Sequence, residues 1–423
     1  MGTTVSTPPQ PPESTAAVPW WRRHRFALAG GAVAAVVVLV AAISAGGGGG
    51  DKTSSNGAAS STTGGTSPGG PDGSVNEPGG SSSSAGSAST TSGVAGGTGG
   101  SGATVTTRGP GPGAAGPGLV AFASRRFGTP GIFVVTGDGT GELRLTSTQG
   151  EYFTPVWSPD GSRIAFASRR ADNTDIYVIG ADGKGERRLT SDAADDFDPA
   201  WSPDGRRIAF TTKRGDNSDI YVVDSGGGGE KRLTDSPDDE LGPAWSPDGA
   251  RIAYTRNTSG GAAIWVVGAD GKGAVAIVAP PGQNIAPRWS PDGSRLAFIS
   301  TRAGNSDLFV AAADGSGAKA VTTDPGEDLS PAWSPDGRRL AYISQRNADR
   351  DVHVVDADGR NDHAVASNRS EEATPAWSPD GTRLAFVSDR DGLRSIYAVA
   401  ADGSGLRRLT PGPGPDFDPR WRP

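Results

Sequence analysis

Short apolar runs and polar, Gly- and Pro-rich breaks alternate from residue 118 to the C-terminus, and the alternation recurs with a fixed period. One unit shows how it is built. Pro199-Ala200-Trp201 is a short extended run that ends in a large apolar anchor. Ser202-Pro203-Asp204-Gly205 is a turn: Pro presets φ at its second position and Gly suits its fourth. Residues 206–211 read as a second strand, and residues 220–223, β-branched and aromatic, as a third. After a Gly-rich turn, Lys231-Arg232-Leu233-Thr234 reads as a short edge strand, whose charges deter pairing with other molecules.

The period is strict. Tryptophan stands at 157, 201, 245, 289, 333, 377 and 421, always 44 residues apart, and the first six open the sequence Trp-Ser-Pro-Asp-Gly. A strand-rich period of about 40–50 residues marks the blades of a β-propeller. The expected fold is therefore all-β, with seven four-stranded blades. The second strand recurs seven times, from 119–124 to 383–388. The third recurs from 132–135 to 396–399, and the fourth from 143–146 to 407–410. The Trp strand also occurs seven times but is out of phase, so residues 418–421 are expected to complete the blade begun by 119–146. Such a closure leaves no open edge. Trp157, Trp201, Trp245, Trp289, Trp333, Trp377 and Trp421 should then lie between blades as structural anchors, each removing about 150–250 Å² from water.

Upstream, the pattern changes twice. Residues 26–45 carry no charge over twenty positions, which gives a helix about 30 Å long, the thickness of a bilayer core. Arg22, Arg23 and Arg25 precede this segment, which places residues 1–25 in the cytoplasm and the rest outside. A cleaved signal peptide, with secretion of the remainder, is the alternative. Residues 46–117 are almost entirely Gly, Ser, Thr, Ala and Pro and read as a disordered tether, with a mean reach of roughly 45 Å. The expected organisation is a cytoplasmic tail (1–25), a single-pass transmembrane anchor (26–45), a linker (46–117) and an extracytoplasmic, monomeric propeller (118–423).

Composition narrows the chemistry. The chain has 65 Gly and 33 Pro, which fit many turns together with the linker. A net charge of −7 argues against a general affinity for nucleic acid. The absence of cysteine excludes disulfides, thiolate catalysis and Cys–metal sites.

The run Trp-Ser-Pro-Asp-Gly, then Arg-Ile-Ala-Phe, Asp-Ile-Tyr-Val and Arg-Arg-Leu-Thr, resembles the TolB-type, WD40-like Pro-Asp propeller repeat over residues 118–423. The resemblance implies the propeller fold. The family includes translocation proteins, peptidase propellers, sugar lyases and adaptor domains, so it implies no single activity.

A residue present in every blade is most simply structural, which makes Asp160, Asp204, Asp248, Asp292, Asp336 and Asp380 turn formers. The approach to the Trp strand varies more. Five residues before each Trp stand Tyr152, Asp196, Glu240, Asn284, Asp328, Glu372 and Asp416. Together with the acidic residues one position earlier, they should ring one mouth of the central channel and attract a cation or a basic peptide. Alternatively, Arg126, Arg170, Arg214, Arg302, Arg346 and Arg390, from the loop between second and third strands, pair with these acids inside the fold. Near residue 280 the acidic loop turns neutral, Thr258 stands where the loop arginine is expected, and Arg288 replaces the usual Ala. This stretch reads either as a drifted blade or as a docking notch. His353 aligns with Tyr and Phe in other blades and should fill an aromatic slot, and no catalytic triad, zinc set or phosphate loop is legible. The expectation is a non-enzymatic binding or scaffold propeller without a cofactor, a cation at the mouth aside, that engages a protein, peptide or cell-envelope component. A lyase or hydrolase using mouth residues on envelope polysaccharide or peptide is the alternative.

Overall fold

The computed structural model describes residues 118–423 apart from 171, 347 and 348. The expected tail, membrane segment and linker lie outside the described residues. Among the described residues no helix is long and apolar enough to cross a membrane.

Seven four-stranded antiparallel sheets follow one another. Blade 1 is composite: its inner strand is Asp416–Trp421, followed outward by Leu119–Ser124, Gly131–Thr136 and Leu143–Arg144. Blades 2 to 7 have inner strands Glu151–Trp157, Asp196–Trp201, Asp239–Trp245, Asn284–Trp289, Glu327–Trp333 and Glu372–Trp377, each followed by its three outer strands. Inner strands touch their neighbours all the way round, including blade 7 to blade 1 and blade 1 to blade 2, so the ring is closed. In the closing blade Val120 pairs with Trp421 and Ser124 with Asp416.

The second strands explain the radial packing. In Arg163–Arg170 the alternation places Ile164 and Phe166 on one face and Ala165 and Ala167 on the other, and all four are buried. The small-residue face of blade 2, with Ile176 and Val178, receives Trp201, Ile208 and Phe210 of blade 3. Large side chains of one sheet thus fill against the small face of the sheet before it, and neither face needs to be polar. Stacked aromatic pairs on adjacent strands, such as Phe166 and Tyr177 with centroids 5.7 Å apart, reinforce the middle of the blade.

The tryptophans are buried between blades, Trp333 only partly. Six of them, Trp157, Trp201, Trp245, Trp289, Trp333 and Trp377, donate their indole N–H to an inner-strand carbonyl of the preceding blade at 3.0–3.1 Å. A guanidinium from the preceding blade covers each ring from Trp201 to Trp421 at 4.8 Å, as Arg163 covers Trp201. Leu119 occupies that position in blade 1, and Arg422 from the other chain end covers Trp157 instead, at 5.8 Å.

The repeated Asp is a turn former. The Asp160 carboxylate accepts from the Ser158 hydroxyl at 2.5 Å and from the Ser162 N–H at 3.0 Å, and these bonds hold its carboxyl down at about 2. The outer strands are shorter than the sequence suggests, only two residues in five blades. The following Thr leaves the ladder because its hydroxyl accepts a main-chain N–H of the third strand, as Thr146 does from Ile132 at 3.0 Å.

Candidate functional site

The residues five before each Trp converge at one end of the inner strands, but they form a covered ring rather than an open acidic rim. Asp196, Asn284, Asp328 and Asp416 are 0 % exposed, Glu240 and Glu372 1 %, and Tyr152 5 %. The loop arginines lie against them. Arg126 Nε donates to Asp416 at 2.9 Å, Arg390 to Glu372 at 3.0 Å and Arg302 to the Asn284 amide oxygen at 2.8 Å. Arg214 stands 3.6 Å from Asp196, and Arg170 donates to the Tyr152 hydroxyl at 3.4 Å. In blade 4, where Thr258 occupies the expected position, Arg256 takes over and stands 3.7 Å from Glu240. Asp328 is the exception, because Arg346 turns to Asp324 and Asp362 at 2.6 and 2.7 Å. Burial pushes the Asp196 carboxyl up to about 6 and that of Asp328 well above the carboxylate range.

The position one residue earlier is also structural. Asp195 and Asp239 each accept a main-chain N–H from the preceding blade, of Thr174 at 2.7 Å and Ser218 at 2.8 Å. Gln283 does the same for Ala262 at 3.0 Å. The neutral junction near residue 280 therefore retains the acidic loop's hydrogen bond without its charge. His353 occupies its aromatic slot, 5.4 Å from the Tyr342 ring, with Nδ1 3.1 Å from Asp362.

A second ring lies three residues before each Trp, at Thr154, Asp198, Gly242, Ala286, Ser330, Thr374 and Asp418. All seven have positive φ, between 46° and 63°. The inner-strand register slips at this point in every blade, so each inner strand carries a β-bulge. A left-handed conformation costs a non-glycine residue roughly 1–2 kcal/mol, and here it re-aims a side chain in every blade but the fourth, where the residue is Gly242.

These side chains and the residues just before the Trp face the central channel. Asp198 of blade 3 feels both Arg288 of blade 5 and Asp418 of blade 1, and Arg288 feels Arg420 of blade 1. Blades that share no edge can interact this way only across the axis. Enclosure pushes the Asp198 carboxyl up to about 7, with Arg288 opposing and Asp418 reinforcing the rise. It also raises Asp418 and lowers both guanidinium groups. Asp198, Arg288 and Arg420 keep some surface in contact with channel solvent, whereas Asp418 is closed off.

Among the described residues no ion pair closer than 4 Å engages any of these four charges. Arg288 and Arg420 donate only to the carbonyls of Pro287 and Pro419, at 3.0 and 2.9 Å. Asp418 Oδ2 and the hydroxyls of Thr154 and Thr374 are buried and have no hydrogen-bond partner. Of these channel residues, sequence reasoning had singled out only Arg288. The missed signal was variability at a fixed offset: the residue three before Trp differs between blades, while Pro two before Trp does not.

Fold and site together define a closed seven-bladed β-propeller with a polar, doubly charged axial channel. The chain belongs to the TolB beta propeller domain family, which matches residues 118–240, 229–373 and 329–423. No curated protein sequence matches it. Among solved structures, it resembles TolB from Acinetobacter baumannii with a TM-score of 0.50 and 19% identity, over 72% of this chain and 67% of that one. It also resembles an oligogalacturonate lyase from Vibrio parahaemolyticus with a TM-score of 0.52 and 15% identity, over 70% and 86% of the two chains. A puromycin-hydrolyzing peptidase of Mycobacterium tuberculosis matches with a TM-score of 0.50 and 18% identity, over 63% of this chain and 50% of that one. At these identities the likeness is one of fold.

Proposed function

We propose that the chain is an extracytoplasmic binding propeller, anchored through residues 26–45, that engages a protein, peptide or cell-envelope component at its axial channel. One observation carries this reading: Asp198, Arg288, Asp418 and Arg420 face a shared channel without an ion pair. Charges left unpaired in an enclosed site raise the energy of the empty state, and a ligand with complementary charge relieves that cost. Both signs are present on the solvent-touching side chains of Asp198, Arg288 and Arg420, which suits an extended polar chain such as a peptide, whose amides alternate donors and acceptors. Membership of the TolB propeller family is in keeping with a partner-binding role.

The test is site-specific photocrosslinking in cells from Ala286 and Ser330 in the channel, with Val275 on an outer edge as the control position. Channel positions should capture an envelope component that the outer position does not, and Asp198→Asn with Arg288→Gln should remove that product. Identical products from channel and outer positions would refute the reading. Turnover of an envelope glycan or peptide by the purified chain would replace it with an enzymatic one.

A further inference from the structure

Outside the channel, the repeat is broken in blade 1 in a way that leaves an outer-strand arginine without its carboxylate. In blades 2 and 3 an outer-strand arginine binds an aspartate on the third strand: Arg188 to Asp175 at 2.8 Å and Arg232 to Asp219 at 2.9 Å. In blade 7 Arg408 donates to the Ser395 hydroxyl at 2.8 Å. Blade 1 has the arginine, Arg144, but glycine at the acceptor position, Gly131. The Arg144 side chain folds over the space the carboxylate would fill, and a Cβ on Gly131 would lie 2.9 Å from its Nε. Its terminal nitrogens reach only neutral acceptors, the Thr129 hydroxyl at 3.3 Å and the Pro130 carbonyl at 2.9 Å. Nε is buried without a partner.

A cleft of about 470 Å³ opens beside Arg144 between blades 1 and 2. Thr129, Ser147, Gln149, Glu151 and Arg169 also line it. Glu151, its acidic residue, is engaged by Arg125 at 2.7 Å. Arg169 is exposed, and no described carboxylate pairs with it. The cleft therefore presents two guanidinium groups with which no described carboxylate forms an ion pair, next to hydroxyl and amide groups, with Glu151 opposite Arg169 in the ladder but held by Arg125. Its volume lies in the range of small-ligand sites.

We propose that this cleft binds a carboxylate-bearing ligand, with Arg144 and Arg169 gripping the acid group that blades 2 and 3 carry internally as Asp175 and Asp219. Guanidinium pairs with carboxylate through two parallel donors, and a charge-assisted pair of this kind is stronger than a neutral hydrogen bond. The acid group is common to acidic sugars and to acidic residues of peptides. The remaining lining, Ser147, Gln149 and Thr129, bonds hydroxyls or amides alike.

The experiment is calorimetric titration of the detergent-solubilised full chain with glucuronate and with N-acetylglutamate α-amide, using glucose and N-acetylglutamine amide as neutral counterparts. At least one acid should bind roughly tenfold or more tightly than its neutral counterpart, and which acid is preferred separates a sugar from a peptide source. Arg144→Gln should weaken binding by a similar factor. Gly131→Asp rebuilds the internal pair of blades 2 and 3. It should abolish binding while leaving the melting temperature equal or higher, so loss of binding is not mistaken for loss of fold. Absence of acid binding, equal binding of acid and neutral ligand, or unchanged binding by Gly131→Asp would overturn the assignment.

Discussion

The indole N–H of Trp157 donates to the main-chain carbonyl of Arg420 at 3.0 Å, joining residues 263 positions apart. The five tryptophans from Trp201 to Trp377 make the same bond to a carbonyl only 45 positions back. Blades 1 and 2 are thus joined by the interaction that joins five other pairs of blades, supplied here from opposite ends of the propeller. A chain ending at Pro415 should lose more than one strand. Trp157 would lose its acceptor, Leu119–Ser124 would become an open edge, and Arg126 would be left as a buried charge without Asp416. The expected result is loss of the cooperative thermal transition by circular dichroism. A truncated chain that melts like the full one would show that the closing strand is dispensable.

Arg126 and Asp416 form the charged counterpart of this closure. Both are buried, Arg126 makes two bonds to the Asp416 carboxylate, and its Nη1 reaches both oxygens of Glu142 at 2.6 and 2.5 Å. Removing one member of a buried pair strands the other, so Arg126→Gln or Asp416→Asn should each cost about 3–5 kcal/mol in urea unfolding. The double replacement Arg126→Met with Asp416→Leu should cost less than either single change. A double variant as unstable as the sum of the two would argue against stranded charge as the cause.

The indoles are not equivalent. Trp289→Ala should cost about 3–5 kcal/mol, because it opens a cavity between blades 4 and 5. Trp289→Phe retains most of the packing but strands the Ala244 carbonyl, whereas Trp421 Nε1 has no partner to lose. Replacement by Phe should therefore destabilise position 289 about 1 kcal/mol more than position 421. Equal losses in chemical denaturation would mean that the indole bonds contribute nothing beyond ring burial.

Trp spacing, Pro-Asp-Gly turns and β-branched runs made blade number, strand order and closure legible, because these depend on local turn chemistry and on a repeat written seven times. The family resemblance followed from the same residues. The channel was harder to read. Asp198 and Asp418 are separated by five blades in sequence and meet only once the ring has closed. The bulge that aims them inward is a backbone event that no residue type marks, since Thr154, Ala286 and Asp418 all adopt it. The acidic positions five before Trp looked functional because charge stands out in a sequence. Their burial beneath arginines depends on how two loops of one blade fold over each other.

Asp328 offers a pH test of that burial. It is 0 % exposed, burial is the largest influence raising its carboxyl, nearby Asp324 adds to the rise, and Arg346 opposes it while paired with Asp324 and Asp362. A carboxyl raised in the folded state binds its proton more tightly folded than unfolded. Stability from this group is therefore present near the ordinary carboxyl value and is lost as pH climbs through the raised one. Asp328→Asn keeps the shape and removes the ionisation. At about pH 8 it should be more stable than the parent, by on the order of 2 kcal/mol. The advantage should shrink towards nothing near pH 4, where the parent is also neutral at this position. Urea midpoints across this range would check both ends. A variant less stable than the parent at high pH would mean that Asp328 is ionised and held by Arg346, as the other ring acids are held by their arginines.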